Sequence, residues 1–227
     1  MSDLHSHVTG ALTEGVLVTQ GPGLFVMDVD STLIEDEVIE LLAERAGTRE
    51  QVAAVTARAM RGELDFAQSL QERVATLAGV PVSVFAEVLQ QVRLTKGARS
   101  LVQTLHERGC KVGLVSGGFI EVVEPLASDL RIDHVAANRL ETSGSVLTGR
   151  TVGTVVDRAE KARLLRKWAQ ADCVALERTV AMGDGANDLD MLATAGLGIA
   201  FCAKPVVAQS ADAAVHVRDL RAALELF

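Results

Sequence analysis

Tyrosine is absent from the 227 residues, tryptophan occurs once and phenylalanine six times. So thin an aromatic supply leaves little with which to stack nucleobases. Positive charge is in deficit as well: 22 Lys and Arg face 30 Asp and Glu, a formal charge of −8, which repels nucleic-acid backbones and anionic lipid headgroups. The three cysteines, Cys110, Cys173 and Cys202, lie far apart without the C-x-x-C spacing of a zinc or redox site, so they read as small buried hydrophobes. Long apolar runs are missing too. The uncharged stretch Met191–Ala203 is broken by glycines and falls well short of the ~20 residues that span a bilayer. Residues 1–23 contain no basic region followed by an apolar one, the pattern of a secretory signal, and the expected compartment is the cytoplasm. His5 and His7 make a short H-x-H in what reads as a mobile tail, without a designed metal site.

What is present is an ordinary globular composition, 48% hydrophobic and 23% charged, in a chain long enough to bury a core without disulfide staples. Leu24–Val29 reads as a buried strand running into the polar turn Asp28-Val29-Asp30-Ser31-Thr32. From Glu35 to Leu94 there is no strand-like run. Four helical patterns, about 35–46, 48–61, 65–78 and 83–92, are separated by Gly47, Gly62 and Gly79-Val80-Pro81. Beyond Gly97, strands and helices alternate: strands at Lys111–Val115, Thr179–Met182 and Leu197–Ala200, helices at Phe119–Ser128, Arg158–Ala171 and Asn187–Ala195. This order predicts an α/β protein with a doubly wound, mainly parallel sheet, whose sites lie at the carboxyl ends of the strands. The helical block is an insertion in the first crossover, and 138–156 is a small antiparallel excursion. The expected division is a core of residues 1–34 and 95–227 and a helical cap of 35–94.

Three polar clusters fall at predicted strand ends: Asp28-x-Asp30-Ser31-Thr32, Ser116-Gly117-Gly118 and Gly183-Asp184-Gly185-x-Asn187-Asp188. Any one of them is an unremarkable turn. Together they bring carboxylates into one crevice, and converging carboxylates repel unless a cation sits between them. An oxygen-only set suits Mg²⁺, with Asp28 and Asp184 as ligands, the main-chain carbonyl of Asp30 available at the same turn, and Asp188 or Asn187 in support. Ser116 and its two glycines lead into a helix N-terminus and make a cradle for an anion such as phosphate. A fixed positive charge is also needed. Lys161 is a candidate, and spacing alone does not separate it from Arg158 or Arg163.

As a set, DVDST, SGG, a lysine ahead of a helix and GDGANDLDML resemble the four motifs of the haloacid dehalogenase superfamily of aspartate-nucleophile phosphatases. Within it, DVDSTLIEDEVIELLAERAG, AMRGELDFAQSLQERV, LVSGGF, GDGANDLDMLATAGLGIAF and CAKPVVAQSADAAV resemble the phosphoserine phosphatase family over about residues 24–227. The resemblance implies a Rossmannoid core under a small cap, with Lys161 as the motif lysine. It implies a magnesium-dependent hydrolysis of O-phosphoserine, the last step of serine biosynthesis: Asp28 as nucleophile, Asp30 as proton shuttle, and Asp28, Asp30 and Asp184 at the metal. Ser116, Gly117, Lys161 and Asn187 hold the phosphoryl group, while Thr32 positions the turn. In the cap, Arg73 falls inside the apolar arc of Phe66, Leu70, Val74 and Leu77. The resemblance makes it the partner of the substrate carboxylate, with Glu37 in the first cap helix binding the ammonium and Met60 and Phe66 excluding water. Many relatives carry regulatory amino-acid-binding domains where this chain has a short tail, so feedback through such a domain is not expected. A phosphotransferase passing the group to homoserine or another alcohol would use the same residues as far as the aspartyl phosphate.

Overall fold

The computed structural model describes residues 4–227. Its strands are β1 (Val8–Thr9), β2 (Leu24–Met27), β3 (Lys111–Phe119), β4 (His134–Ser143), β5 (Val146–Val152), β6 (Thr179–Gly183), β7 (Leu197–Phe201) and β8 (Ala213–Val215). They form one sheet in the order β1-β8-β7-β6-β2-β3-β4-β5. Every pair from β8 through β4 is parallel, while β1 and β5 close the two edges antiparallel. The central strands β2, β6 and β7 are buried at every position, because helices cover both faces, as parallel sheets require.

The helices are α1 (Val16–Gln20), α2 (Val38–Ala46), α3 (Arg49–Met60), α4 (Phe66–Ala75), α5 (Val84–Leu89), α6 (Ala98–Glu107), α7 (Ile120–Leu130), α8 (Arg158–Ala171), α9 (Leu189–Thr194) and α10 (Pro205–Ala208). One side of the sheet packs residues of α6 and α7, such as Leu101, Leu105, Val122 and Val123, against Phe25, Met27 and Val112. The other packs Leu164, Leu165 and Trp168 of α8 with Met191 and Leu192 against Leu24, Val26 and Ala181. Asp157 caps α8 by accepting the Glu160 N–H at 2.9 Å. Gly113 on β3 lies directly under α8. A Cβ there would stand 2.9 Å from the Trp168 ring, so the missing side chain sets how closely α8 approaches the sheet.

Helices α2–α5 all lie between β2 and β3, as the helical run without strands predicts. Two strands of chain connect them to the sheet side by side, with an Ile34–Leu94 antiparallel bridge and Glu35 N–H donating to Arg93 O at 2.9 Å. A second attachment runs to the β4–β5 hairpin, where Gly79 N–H donates to Leu147 O at 2.8 Å and Val82 N–H to Ser145 O at 2.9 Å. The antiparallel excursion expected at 138–156 is this hairpin.

Four details differ from the sequence reading. The segment holding His5 and His7 is ordered: His216 N–H donates to His7 O at 2.9 Å, and β1 pairs with Ala214 and Val215. Cys173 is exposed, in a left-handed turn after α8, while Cys110 is buried and Cys202 half-buried. β3 runs on through Ser116–Phe119, with a register shift against β4 at the glycines. Glu37 precedes α2 as its N-cap residue and is not inside the helix. Among the described residues, no helix is long and apolar enough to cross a membrane.

Gly113→Ala is expected to lower the unfolding free energy by about 1–3 kcal/mol, measured by urea titration, because the added methyl has to displace the Trp168 ring.

Candidate active site

β2, β3 and β6 end side by side, and their last residues lead into the three polar clusters. Asp28 leaves β2 with its N–H held by Met182 O at 2.9 Å and is buried. The tight turn Val29–Leu33 then turns the chain back. Ser31 there has φ +56°, a left-handed conformation that is unfavourable for a residue with a side chain. Its N–H donates to Asp36 O at 3.3 Å and its hydroxyl to Glu37 Oε1 at 2.6 Å, which hold it in place. Asp30 accepts from Val38 N–H at 2.8 Å, at the first turn of α2, and from Ser116 Oγ at 3.1 Å. Ser116 Oγ in turn accepts from Gly118 N–H at 2.7 Å. A side chain at Gly118 would stand 2.6 Å from Asp30 Oδ2, so glycine is what lets this carboxylate lie on the loop.

Behind this layer is the fixed charge. Lys161 has no solvent exposure; its Nζ donates to Asp28 Oδ1 at 2.5 Å and to Asp188 Oδ1 at 2.6 Å. Arg158 pairs instead with Asp190, and Arg163 with Glu160, both at the surface. The structure thus separates three basic residues that spacing left equivalent. Burial by itself would lower the Lys161 pKa, but the Asp188 and Asp28 carboxylates outweigh it and hold the ammonium protonated well above the ordinary lysine range.

Carboxylate oxygens of Asp28, Asp184 and Asp188 lie within 4.8 Å of one another. Asp184 accepts a long hydrogen bond from Thr32 Oγ1, 3.4 Å. Burial first, then the neighbouring Asp188, pushes its carboxyl up to about 6. Asp28 is raised well above the carboxylate range by burial and by Asp188, Asp30 and Asp184, against the pull of Lys161. Four acids around one lysine leave surplus negative charge in a place with little water. An oxygen-only cluster of this kind is suited to a hard divalent cation. The clustered side chains are Asp28, Asp184 and Asp188. The Asp30 carboxylate faces Val38 and Ser116 instead.

A cavity of about 400 Å³ opens above these acids, walled by Asp28, Asp30, Gly117, Gly118, Asp184 and Asn187 from the sheet side and by Glu37, Met60, Phe66 and Arg73 from the helical insertion. Ser116 and Lys161 lie beneath its floor, bonded to Asp30 and Asp28 and outside its lining. Met60 is at the rim with 71% of its surface exposed. Arg73 donates from Nε to Ser69 O at 3.2 Å, and its terminal nitrogens hold no hydrogen bond to the described residues. Burial lowers its pKa from the usual arginine value while Glu37 and Asp30 oppose the shift. Glu37 is raised to about 7 by withdrawal from water and by the Asp30 charge.

Two residues here were not singled out from the sequence in these roles: Asp188 as second partner of Lys161, and Asn138, which bridges Gly117 O and Val156 N–H at 2.8 Å each. Position 161 is in helical phase with the buried Leu165 and Trp168, which is the signal by which the lysine could have been chosen over its neighbours.

Clustered carboxylates, a buried ammonium and a glycine turn meet under one cavity at the carboxyl edge of a parallel sheet, where α/β enzymes carry their active sites. A model of the haloacid dehalogenase-like hydrolases matches residues 25–193, and the chain belongs to that family. It is 54% identical over 203 residues to a phosphoserine phosphatase of Lactococcus lactis, covering 89% of this chain and 94% of that one. It is 59% identical over 203 residues to a phosphoserine phosphatase of Streptomyces coelicolor, covering 89% of this chain but only 50% of that longer protein. Among solved structures it is similar to a phospho-aspartyl intermediate analogue of phosphoserine phosphatase, with a TM-score of 0.85 and 41% identity, covering 90% of this chain and 98% of the other.

Lys161→Met is expected to lower the unfolding free energy in metal-free buffer by about 3–5 kcal/mol, since it leaves buried carboxylates unpaired. Urea titration measures the loss, and added Mg²⁺ is expected to restore part of it.

Proposed function

We propose that the chain is a magnesium-dependent phosphatase that hydrolyses O-phosphoserine to serine and phosphate through an aspartyl phosphate on Asp28, the step that releases serine in its biosynthesis. The observation that carries the substrate reading is Arg73: a half-buried guanidinium with free terminal nitrogens, facing the same cavity as Glu37 and Asp30. An amino acid phosphate supplies what each needs. Its carboxylate pairs with Arg73 in a bidentate contact, its ammonium pairs with Glu37, and its phosphoryl group lies over Asp28. The relatives named above support the same substrate.

Asp28 attacks phosphorus as a carboxylate, forming the acyl phosphate bond as the seryl oxygen leaves. Asp30, its pKa raised first by burial, donates its proton to that oxygen. The resulting carboxylate then takes a proton from the water that attacks the intermediate, so phosphate departs and both acids return to their starting forms. The Gly117 N–H holds the phosphoryl oxygens from the cavity wall with Asn187 beside it, and Ser116 and Lys161, bonded to Asp30 and Asp28 beneath the floor, turn to those oxygens as charge redistributes. Thr32, bonded to Asp184, keeps the turn on the metal side. Asp28, Asp184 and the Asp30 main-chain carbonyl, with Asp188 in support, are the groups that would hold Mg²⁺. When bound, the ion supplies neutralisation of the phosphoryl and carboxylate charges.

Residues 35–94 act in this reading as a cap, with Phe66 and Met60 closing the cavity mouth against water. A cytoplasmic location belongs to the proposal, supported by three unpaired cysteines, one of them exposed.

A phosphate-release assay across phosphoserine, phosphothreonine, phosphoglycolate and a sugar phosphate, with and without Mg²⁺, tests the reading. Phosphoserine with Mg²⁺ is expected to be turned over fastest. Arg73→Ala should cut kcat/KM for phosphoserine roughly ten- to a hundredfold, the worth of a charge-assisted bidentate contact, and leave a carboxylate-free ester almost unchanged. Equal losses on both esters would remove the carboxylate contact from the account.

A further inference from the structure

The β3–β4 ladder runs Leu114–Val135, Val115–Ala136 and Ser116–Ala137, then jumps to Phe119–Asn138. Gly117 and Gly118 are therefore left out of the pairing, as a bulge within β3 that lines the cavity. A half-buried backbone carbonyl left out of the ladder needs another donor. Asn138 supplies it: the side chain is 2% exposed, and Nδ2 donates to Gly117 O at 2.8 Å. The other end of the same amide is also used, with Oδ1 accepting the Val156 N–H at 2.8 Å. Val156 immediately precedes Asp157, the capping residue of α8, and Asp157 O accepts the Lys161 N–H at 3.0 Å.

We propose that Asn138 is a positioning residue of the phosphoryl site, a strut that holds the glycine loop and the start of the lysine-bearing helix at a fixed separation. This inference rests on the functional reading given above. Its physical content lies in peptide geometry. Gly117 C=O and Gly118 N–H belong to one planar unit, so fixing the carbonyl also fixes the N–H that Ser116 Oγ accepts at 2.7 Å. The Ser116 hydroxyl then points at Asp30, 3.1 Å away. From the other end of the amide, the α8 backbone carries Lys161 to Asp28 at 2.5 Å. One side chain that touches no substrate thus sets the relative placement of the nucleophile's ammonium and of the proton shuttle's hydroxyl partner. Both partners of the amide are main-chain groups, so only a side chain with donor and acceptor on one planar head, at this length, spans them.

Two variants separate positioning from general structural support. Asn138→Ala removes both bonds. Asn138→Asp keeps the acceptor for Val156 and removes the donor to Gly117, so the helix end stays tied while the loop is released. In protein shown to be folded by circular dichroism, kcat on phosphoserine is expected to fall roughly ten- to a hundredfold in both, the cost of misplacing groups by up to an ångström, with KM changed less than about threefold. The loss should be the same factor on a carboxylate-free phosphate ester, because both esters share the phosphoryl site and only one engages Arg73. If Asn138→Ala does not fold, Asn138→Asp decides alone. A folded Asn138→Asp with wild-type kcat, a rise in KM without loss of kcat, or a loss confined to phosphoserine each overturns the proposal. Wild-type protein that releases no phosphate from either ester would defeat the functional reading itself, whereas an active wild type beside an equally active Asn138→Asp defeats this inference alone.

Discussion

A single ammonium with no solvent exposure, held 2.5 Å from Asp28 and 2.6 Å from Asp188, is the contact on which the rest of this site depends. Removing a lysine from water is costly unless its charge is matched closely, and the two carboxylates match it. Their own burial is tolerable for the same reason. The ammonium reaches them because α8 packs tightly on the sheet over Gly113, with its first turn capped by Asp157. Yet one lysine does not balance Asp28, Asp30, Asp184 and Asp188. The remaining negative charge suits the pocket to a cation, and a bound cation would, in the proposed function, offset the charge of a dianionic phosphoryl group.

Around that centre the chain separates two tasks. The sheet edge holds the groups proposed to act on phosphorus, each fixed by main-chain contacts: Asp28 through Met182 O, Asp30 through Val38 N–H, Ser116 through Gly118 N–H. The helical insertion contributes Arg73, Glu37, Phe66 and Met60 from above. It is tethered at a paired connection near Ile34 and Leu94 and at the β4–β5 hairpin. Asp30 belongs to both halves, since it accepts from the first turn of α2 while bonded to Ser116. In the proposed function this brings substrate selection close to proton transfer, because a ligand that draws Glu37 inward acts on the N-terminus of α2, whose first turn orients Asp30.

Much of this architecture was legible in residue order because strand ends are marked locally, by apolar runs that stop at Asp, Ser or Gly. The family motifs then assigned roles that spacing alone did not. What escaped depends on contacts far apart in sequence. The ordering of Val8 and Thr9 requires the edge of Ala213–Val215, and nothing within the tail announces that partner. Asn138 matters only because the β3–β4 register skips two glycines. Cys173, read as buried, sits in a left-handed turn at the surface, where the local chain direction overrides the usual preference of cysteine for the interior. Lys161 was visible in principle, as its helical phase matches Leu165 and Trp168, but a lysine on an apolar face is intelligible only once its acids are known.

The central claim is that Asp28 carries the phosphoryl group between its departure from the substrate and its transfer to water. Wild-type protein mixed with ³²P-labelled phosphoserine and Mg²⁺, quenched in acid within milliseconds and digested for mass spectrometry, tests this directly. The account predicts a transient acyl phosphate on the peptide containing Asp28, absent from Asp28→Asn protein that folds normally. Phosphate release without any labelled peptide, or a label on another residue, would contradict it.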